Sequence, residues 1–548
     1  MRARRRKAAA VLVAARRNGP GAIQFWFIAL AIGVAAGTAS LCFRMGISAL
    51  QVALYGTDDI NLATVAGRLP WWWVVAVPIL GGLVVGLILD RFTPDGRVRA
   101  VADVIEGAAM YRGRVEMRAG LASATASLIT LGSGGSSGRE GPVVHLAAVV
   151  STWVSERIGA NGITGRDLLG CAVAAAVSAS FNAPIAGAIF ALEVVLRHFA
   201  VRAFAPIAIA SVAGTVINRL KYGGVTEFTL PAAGATAFHV ELPAFLLLGL
   251  VSGLIAAALM RSVLFAEDFG DRVQRATGLP RWLRPTLAGA LLGAMAIPFP
   301  HIIGVGYETT SAALTGRIGL VAAVVYAVVK VVAVAVTMGG RMGGGMFSPA
   351  LVVGSLTGLA FGLIATGLAP EVSGAETIYA LAGMGAVAAA VFGAPISTTL
   401  IVFELTGDWE TGLAVMTAVS LSTALASRLV KRSFFLTQLE RRGIRLAGGP
   451  QVYLGATIRM SEVLRPSDHP RAAPEEACRA MMREGVALDE RQVLEAALRT
   501  FERTGADFIP VTRQGADGVA DLVGAVFQTD ALRAYAKALA ATAEEEHS

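Results

Sequence analysis

The sequence predicts an all-helical protein that crosses a membrane many times, with a small α/β tail, and its composition and hydropathy predict this class. Of its 548 residues, 55% are hydrophobic and 16% are charged, whereas about a quarter of a soluble domain is charged. Mean hydropathy is +0.63, and uncharged apolar stretches recur through the first 430 residues. These features exclude a soluble single-core enzyme and a disordered chain.

The apolar stretches are uneven in length, which predicts helices that stop inside the membrane. At a rise of about 1.5 Å per residue, several of them cover only half a bilayer. Non-helical backbone at that depth is tolerated only inside protein or beside a watery cavity, so a pathway through the protein is expected. The stretches lie near 23–53, 70–90, 119–132, 142–157, 167–197, 202–217, 240–263, 282–299, 317–338, 347–368, 376–392, 395–406 and 411–430.

A repeated motif predicts that the membrane domain (23–432) consists of two related halves. Phe181–Ile185 reads FNAPI and leads to Glu193, while Phe392–Ile396 reads FGAPI and leads to Glu404. In each half the acid follows the proline by nine residues. Chance Ala-Pro dipeptides would not place both acids in step.

A glycine-rich break that ends in proline precedes each copy of this motif. The breaks are GREGP at Gly138–Pro142 and GGGMFSP at Gly343–Pro349. Transporters with a central site are commonly built from paired inverted halves that contain such breaks. The halves are therefore expected at about 23–217 and 240–432, with the breaks as the binding-site candidates.

The net charge of +8 arises mostly in residues 2–17, which hold seven arginine or lysine residues and no acid. Such a run can bind nucleic acid. Directly before an apolar stretch, however, it more simply retains the N-terminus in the cytoplasm. We therefore expect a basic segment at 1–22, a multi-pass protein of the inner (cell) membrane with both termini cytoplasmic, and no nucleic-acid partner. The cysteines and histidines are scattered and indicate neither a disulfide framework nor a metal site.

After Arg432 the sequence becomes polar and predicts a small soluble unit. Residues 433–490 are expected to form a cytoplasmic connector, and residues 491–548 an α-β-β-α domain with an acidic tail. The predicted elements are a helix at Val493–Arg503, strands at Phe508–Thr512 and Leu522–Phe527, and a helix at Asp530–Leu539.

Glu140 is the first candidate functional residue, because it lies in a glycine-rich break two residues before Pro142. Proline suits the first turn of a helix, and a helix N-terminus binds anions through unpaired N–H groups and positive partial charge. A carboxylate tethered there would compete with an anion, and protonation would release it. The alternative is an ion pair between Arg139 and Glu140 at the membrane edge, although ionisable residues at membrane depth are functional by default.

The second break has the same pattern without an ionisable side chain. At Gly345–Pro349 the backbone N–H groups of a following helix would hold any anion. The alternative is a glycine-rich point of helix packing. Neither break offers a cluster of carboxylates, which disfavours a cation or metal pathway.

Together these segments resemble the CLC family of chloride channels and chloride/proton antiporters. Gly138–Pro142 looks like the family's GREGP gating segment, and Gly345–Pro349 matches its GxFxP motif. Phe181–Pro184 and Phe403–Asp408 are similar to further family signatures, and the resemblance spans residues 23–445. It implies inverted halves with broken and re-entrant helices, and a homodimer in which each subunit has its own path for chloride or a similar anion.

The resemblance also implies roles for individual residues. Glu140 is the implied gate, and the backbone N–H groups of Met346 and Phe347 are the implied anion ligands. Gly138, Arg139 and Gly345 belong to the same two motifs. The C-terminal unit resembles a partial CBS motif, with Thr529 and Asp530 where that motif often contacts a nucleotide ribose. An adenine nucleotide is the one cofactor that this resemblance suggests, and a mere packing appendage is the alternative.

The sequence departs from the family at three positions. Arg99 stands where a serine or histidine usually supports the inner anion site, and it could tighten anion binding or face the cytoplasm. Phe435 replaces the inner tyrosine and has no hydroxyl to donate. Val194 replaces the acid that antiporters place just after the position of Glu193. Because valine cannot carry a proton, we predict a passive chloride channel gated by voltage or pH, with chloride/proton antiport as the alternative. Glu193 itself is expected to be a structural acid.

A remote alternative is an intramembrane serine hydrolase, because Gly134–Gly138 satisfies the pattern G-x-S-x-G around Ser136. This nucleophile pattern has meaning only on a strand-turn-helix with a supporting aspartate and histidine. The context here is membrane helix, and no histidine is evidently placed for a triad. We therefore expect that the protein is not an enzyme.

Overall fold

The computed structural model describes residues 22–160, 162–199, 201–224, 228, 238–371, 373–444, 446, 458–490, 492–514 and 520–547. The basic run at 2–17 lies outside these residues. The chain divides into a large helical unit, which ends at Ile444, and a smaller unit formed by residues 445–548 with the short segments 109–112 and 197–203.

The large unit is helical throughout the described residues. Its helices are α1 (Ala22–Tyr55), α2 (Leu62–Ala66), α3 (Trp71–Phe92), α4 (Val101–Met110), α5 (Met117–Gly132), α6 (Glu140–Ile158), α7 (Gly162–Phe181), α8 (Pro184–Phe190), α9 (Val201–Tyr222), α10 (Phe238–Thr277), α11 (Leu283–Ala296), α12 (Tyr307–Leu314), α13 (Leu320–Gly339), α14 (Phe347–Leu368), α15 (Glu376–Phe392), α16 (Pro395–Thr406), α17 (Trp409–Val430) and α18 (Phe434–Arg441). A π-helical turn (Ala191–Leu196) continues α8, and a 3₁₀ turn (Pro300–Ile302) precedes α12.

Seven of the described helices are long and apolar enough to span a bilayer, which confirms the predicted membrane class. Apolar side chains such as Phe27, Leu80 and Val328 lie on the surface with more than half of their area exposed, as lipid-facing residues do. The spans are Ile23–Tyr55, Trp71–Phe92, Ala203–Tyr222, Val240–Thr277, Leu320–Gly339, Phe347–Leu368 and Trp409–Arg441, and shorter apolar helices lie at Pro184–Leu196, Glu376–Phe392 and Pro395–Thr406.

The repeated FxAPI motifs form equivalent structures in the two halves. Asn182 and Gly393, which precede the Ala-Pro pairs, both have left-handed backbones, with φ of 57° and 66°. Each proline then stands at the start of a short helix, α8 or α16. Proline fits there because the first turn of a helix has no use for its missing N–H group.

The acid of each motif binds the start of a short helix in the other half. The Glu193 carboxylate accepts hydrogen bonds from the backbone N–H groups of Ile396 (3.0 Å) and Ser397 (2.8 Å) at the start of α16. The Glu404 carboxylate accepts from Ile185 (3.0 Å) and Ala186 (2.7 Å) at the start of α8. Each half therefore caps a helix of the other, since a carboxylate satisfies free N–H groups and complements the helix dipole.

The smaller unit contains a four-stranded sheet in the order β1-β4-β3-β2. Strand β3 pairs antiparallel with β4 and parallel with β2, and β1 pairs antiparallel with β4. Ile509, Val511 and Val526 form the core with Leu494 and Met460. The elements are α19 (Met460–Val463), β1 (Arg465–Pro466), α20 (Glu475–Arg483), β2 (Leu488–Asp489), α21 (Leu494–Thr504), β3 (Phe508–Gln514), β4 (Ala520–Phe527) and α22 (Gln528–His547).

The predicted α-β-β-α order is present as α21-β3-β4-α22, but the unit begins earlier than the predicted boundary at 491. Residues 460–489, which the polar composition assigned to the connector, contribute β1 and β2 to the sheet. These strands are only two residues long. A two-residue strand has too short a hydrophobic pattern to be recognised in a polar sequence.

Candidate functional site

The two glycine-rich breaks lie against each other at the centre of the large unit. Gly138 and Gly345 form an antiparallel backbone bridge, in which Gly138 N–H donates to Gly345 O (2.7 Å) and Gly345 N–H donates to Gly138 O (2.8 Å). The bridge joins segments that belong to different halves of the chain. Helix α6 begins two residues after Gly138, and helix α14 begins two residues after Gly345.

The hydrogen bonds around this bridge repeat in a two-fold manner. Thr130, near the end of α5, accepts from Gly343 N–H (2.9 Å). Thr337, near the end of α13, accepts from Ser136 N–H (3.2 Å). Thr130 and Ser136 precede Gly138 by the same numbers of residues as Thr337 and Gly343 precede Gly345. The two breaks are thus equivalent positions of the inverted repeat.

The geometry of the second break requires glycine at position 344. Gly344 has a φ of +126°, a conformation that other residues rarely adopt. A Cβ atom at this position would also collide with the Ser137 side chain, whose hydroxyl donates to Gly343 O (3.0 Å). Only glycine lets the two breaks approach this closely.

Two helix N-termini with no side-chain cap meet at the breaks. Helix α6 begins at Glu140 after Arg139, and α14 begins at Phe347 after Met346. Neither Arg139 nor Met346 caps its helix with a side-chain hydrogen bond. First-turn N–H groups of this kind attract anions.

The Glu140 side chain occupies this place. It is 1% exposed, and the Ser348 hydroxyl at the start of α14 lies 2.8 Å from Oε1 and 2.7 Å from Oε2. The Tyr307 hydroxyl donates to Oε1 over 3.2 Å. The carboxylate of one half is therefore held at the helix N-terminus of the other half, where the sequence placed the competing anion.

The neighbours of Glu140 make room for its carboxylate. A Cβ atom at Gly138 would lie 2.9 Å from both Glu140 Oε2 and Ser348 N, so the missing side chain leaves the space that the carboxylate fills. The buried Arg139 guanidinium stacks on the Tyr307 ring, with 4.9 Å to the ring centroid, and its Nε lies 3.9 Å from Glu140 Oε1. The ion pair between Arg139 and Glu140 is thus present, and both residues are buried.

A cavity of about 390 Å³ approaches the breaks from one side. Gly345, Met346, Phe347 and Phe435, all predicted anion-site residues, line it together with Gly141, the residue after Glu140. Its charged lining includes both signs. The arginines are Arg97, Arg284, Arg341, Arg441 and Arg442, and the acids are Asp103, Glu267, Asp268 and Asp271. We call this cavity the vestibule.

Phe435 stands at the end of an aromatic stack beside the vestibule. Its ring lies 5.8 Å from that of Phe392, which stacks on Phe347 at 4.2 Å. Phe181, the repeat equivalent of Phe392, packs on the other side of Phe347 at 4.9 Å. Both halves therefore position the first residue of α14.

Arg99 lies away from the predicted inner anion site and does not line the vestibule. Its guanidinium donates to both carboxylate oxygens of Asp95 (3.0 and 2.9 Å) and lies 4.0 Å from Asp103 and 3.5 Å from Glu116. Burial alone would raise the pKa of Asp95, but the hydrogen bonds and charges of Arg99 and Arg97 outweigh it and hold that pKa below its ordinary value. Of these two arginines, Arg97 reaches the vestibule.

Val194 is buried in the π-helical turn that follows α8, and it does not line the vestibule either. The adjacent Glu193 points to the start of α16, where both of its oxygens accept backbone hydrogen bonds. Position 194 is therefore apolar, and the neighbouring Glu193 carboxylate caps α16.

The structure contradicts the strand context that the serine hydrolase alternative needs. Ser136 lies in a loop between helices α5 and α6, whereas a nucleophile elbow joins a strand to a helix. The Ser136 side chain is fully buried, and its backbone N–H is bound to Thr337. The G-x-S-x-G pattern arose because the break needs small residues.

In the smaller unit, the candidate nucleotide ligands follow strand β4. Thr529 and Asp530 lie in the first turn of α22. The Asp530 carboxylate accepts from Arg465 Nε (2.6 Å), and the Arg465 guanidinium covers the Phe527 ring at 4.1 Å. Asp530 thus has a side-chain partner within its own unit.

Sequence reasoning missed two hydrogen-bond partners of Glu140, Ser348 and Tyr307. Ser348 was visible within the GMFSP motif, where a hydroxyl in the first turn of a helix signals a donor close to an anion site. Tyr307 begins α12 after Gly306, whose backbone is left-handed. No local pattern linked this tyrosine to a residue 167 positions away.

The sequence matches a family model described as voltage gated chloride channel over residues 81–427. A ClcB-like chloride channel protein of Ralstonia nicotianae is 32% identical over 412 residues, which cover 71% of this chain and 91% of the relative. Among solved structures, a slow cyanobacterial Cl⁻/H⁺ antiporter has a TM-score of 0.68 at 20% identity, covering 76% of this chain and 97% of its own.

A CLC-type fluoride/proton antiporter has a TM-score of 0.61 at 18% identity, covering 75% of this chain and 96% of its own. Likeness at these identities establishes the fold, with its inverted halves and broken helices. The family match extends over more than half of the chain and includes both glycine-rich breaks and both FxAPI motifs. The protein therefore belongs to the voltage-gated chloride channel (CLC) family of anion transport proteins.

Proposed function

We propose that this protein conducts chloride passively across the cell membrane and that Glu140 is its protonatable gate. The observation that carries the gate is the position of the Glu140 carboxylate at the start of α14, within hydrogen-bonding distance of Ser348. A carboxylate and a chloride ion compete for the same positive helix end. Protonation removes the negative charge of Glu140 and so weakens the attraction that holds the side chain at the start of α14.

The path proposed for chloride leads from the vestibule past Phe435 to Met346 and Phe347. Gly345, Met346 and Phe347 line the vestibule with backbone that precedes or begins α14. The N–H groups of Met346 and Phe347 and the α14 dipole favour a partly dehydrated anion, which needs no fixed cation beside it. Beyond them the way is closed by Glu140.

Passive conduction is supported by Val194. A valine cannot accept a proton, so no acid stands at the position that antiporters of the family use. Chloride/proton antiport is the second candidate, and an acid that lines the vestibule, Glu267, favours it. Chloride is the anion proposed on the basis of family membership, and the same helix N-termini would accept other monovalent anions.

The remaining parts of the proposal concern the assembly. We propose a homodimer in which each subunit has its own path, with both termini in the cytoplasm and no enzymatic activity. In the smaller unit, Thr529 and Asp530 remain the candidate contacts of an adenine nucleotide.

The proposal is tested with protein reconstituted in chloride-loaded liposomes, with the membrane potential set by a potassium ionophore. Chloride efflux and proton uptake are recorded together. Chloride that leaves without proton movement supports a channel, and protons driven inward against their gradient establish antiport instead.

The gate is tested in the same liposomes with Glu140→Gln, which keeps the shape of the side chain and removes its titration. We expect an anion flux that no longer depends on pH. A flux whose pH dependence equals that of the wild type would refute the role of Glu140.

A further inference from the structure

The acids that line the vestibule differ in their partners. Asp103 accepts hydrogen bonds from the guanidinium groups of Arg97 (3.0 Å) and Arg442 (2.9 Å). Asp271 is bound by Arg284 and Arg341, and Asp268 is bound by Arg441. A guanidinium in direct contact holds a carboxylate in its ionised form. Each of these three acids is therefore in direct contact with at least one guanidinium group.

Glu267 is the exception among the vestibule acids. Its Oε1 accepts a hydrogen bond from the neutral amide of Gln438 (3.2 Å), and the nearest guanidinium nitrogen, Arg441 Nη1, lies 3.8 Å from Oε2. The side chain is 28% exposed, so it is partly withdrawn from water but open to the cavity. Its closest side-chain partner is therefore a neutral amide and not a guanidinium group.

The backbone holds Glu267 in this position. It belongs to α10, and its carbonyl oxygen accepts a hydrogen bond from Arg284 Nη2 (3.2 Å). The same guanidinium donates Nε to Gly339 O (2.8 Å) at the end of α13, directly before the second break. Glu267 is thereby fixed to the segment that leads to Gly345.

We propose that Glu267 is the proton-exchange group through which water in the vestibule protonates Glu140. Glu267 takes a proton from vestibule water as its carboxylate becomes a carboxylic acid. It then releases that proton through water in the cavity to the Glu140 carboxylate, and Glu267 returns to its ionised form. The cavity that Glu267 lines also reaches Gly141, the residue after Glu140, so the cavity ends one residue from the gate.

This role is distinct from the proton-carrying role of the acid that stands in place of Val194 in antiporters of the family. Val194 is buried away from the vestibule, whereas Glu267 approaches from the opposite half of the chain. The inference rests on the proposed function, because it requires Glu140 to be a protonatable gate. It holds for a channel whose gate is protonated from the vestibule and for an antiporter alike.

The charged and polar groups close to Glu267 lie on several elements of the described residues. Arg441 and the neutral Gln438 face it from α18. Arg97 faces it from the loop before α4, and Asp271 lies one helical turn further along α10. Arg284 of α11, whose guanidinium binds the Glu267 carbonyl oxygen, is a third arginine close to it. Asp268, the next residue, forms an ion pair with Arg441.

The experiment records anion current in patches from giant liposomes while the pH on each face is changed in turn. For a single titrating gate, current changes up to about tenfold per pH unit. In Glu267→Gln we expect the response to pH on the vestibule face to fall below about twofold per unit, with the response to the other face retained. Glu267→Asp keeps a titratable carboxyl group and is expected to keep the response to both faces.

Glu440→Gln is the matched control, since it removes the same charge from the helix that faces Glu267. Glu440 pairs with Arg432 and does not line the vestibule. This variant is expected to respond to pH on both faces as the wild type does. Size-exclusion chromatography in detergent establishes that every variant is folded before its current is recorded.

The outcomes separate this inference from the proposed function. If Glu140→Gln loses its response to both faces while Glu267→Gln keeps both, the gate stands and the role of Glu267 is refuted. If Glu140→Gln keeps its pH response, the gate is refuted, and the inference about Glu267 with it. A loss of response to the vestibule face in both Glu267→Gln and Glu440→Gln would also overturn the inference, because the effect would then be one of charge alone.

Discussion

The Ser348 hydroxyl lies 2.8 and 2.7 Å from the two carboxylate oxygens of Glu140, although 208 positions separate the two residues. The contact joins the first turn of α14 to the first turn of α6, and thus one half of the inverted repeat to the other. The Ser348 hydroxyl can donate to either oxygen and so holds the Glu140 side chain at the start of α14. In the proposed mechanism, this is the position of Glu140 that closes the anion path.

Loss of the Ser348 hydroxyl is expected to open the gate. A hydrogen bond to a charged group contributes about 1.5 kcal/mol or more, and such a loss shifts an equilibrium about tenfold. Ser348→Ala should therefore conduct more chloride at neutral pH, measured as efflux from liposomes. Ser348→Thr keeps the hydroxyl and should retain the wild-type rate. Equal rates in the alanine and threonine variants would show that the hydroxyl does not hold the gate.

An acid at position 194 is expected to introduce proton movement. Val194→Glu restores the titratable group that antiporters of the family carry there, whereas Val194→Gln has similar size and cannot titrate. In liposomes, chloride efflux through the glutamate variant should be accompanied by proton uptake, and efflux through the glutamine variant should not. Proton uptake by the wild type would contradict the passive mechanism at once.

The reciprocal caps of Glu193 and Glu404 are expected to stabilise the fold without a part in gating. Glu193→Gln and Glu404→Gln each remove a charge from a helix N-terminus, which costs about 1 kcal/mol. Thermal unfolding in detergent should show a similar loss for both variants. The pH dependence of chloride flux should stay as in the wild type, and a changed pH profile in Glu193→Gln alone would assign this acid to the proton path.

A hydroxyl at the vestibule end of the aromatic stack is expected to tighten anion binding. Phe435→Tyr supplies the donor that Phe435 lacks, and one additional hydrogen bond contributes about 1 kcal/mol. Calorimetric titration with chloride should then give a Kd about fivefold lower. Phe435→Leu removes the ring without adding a donor, and it should not tighten binding. An unchanged Kd in the tyrosine variant would place the binding site away from Phe435.

The cap at the start of α17 is expected to depend on pH. Hydrogen bonds from the Thr411 hydroxyl and backbone N–H hold the pKa of Asp408 below its ordinary value, and the backbone bond is 2.8 Å long. A lowered pKa adds stability that is present above the ordinary value of about 4. That stability is lost as the pH falls through the pKa of the folded state.

The corresponding variant is Asp408→Ala, which should be less stable than the wild type by about 1 kcal/mol at pH 7. The difference should shrink as the pH is lowered below 4, and thermal unfolding at both pH values measures it. Asp408→Ser keeps a capping oxygen that does not titrate, so its stability relative to alanine should not vary with pH. A wild-type advantage that persists in acid would mean that the charge of Asp408 does not matter.

Much of the fold was predictable because it depends on local patterns. The apolar stretches predicted the membrane helices, and glycine and proline marked the breaks before Glu140 and Phe347. Helix α21 and the two strands after it lie within two residues of their predicted bounds, whereas α22 ends eight residues beyond the predicted Leu539. The short strands β1 and β2 were not predicted, because they exist only through pairing with β4 and β3.

The site was predictable only in part, since contacts between distant residues complete it. The sequence identified Glu140 through the break that precedes it, but it did not identify Tyr307 as a ligand. It also left two roles open for Arg99. In the structure, Arg99 forms an ion pair with Asp95, while Arg97 lines the vestibule. Arg97 also pairs with a carboxylate, that of Asp103, so the packing of the chain decides which arginine lines the vestibule.

The sequence by itself determined that this is a membrane protein of two repeated halves, with an acid at one helix start and none at the other. Hydropathy, proline positions and glycine positions are properties of short segments, so they can be recognised without knowledge of the fold. The tertiary structure alone decided that Gly138 pairs with Gly345 and that Glu140 reaches Ser348. These contacts cross between the halves, and only the packing of one break against the other brings a carboxylate to the helix end where an anion would bind.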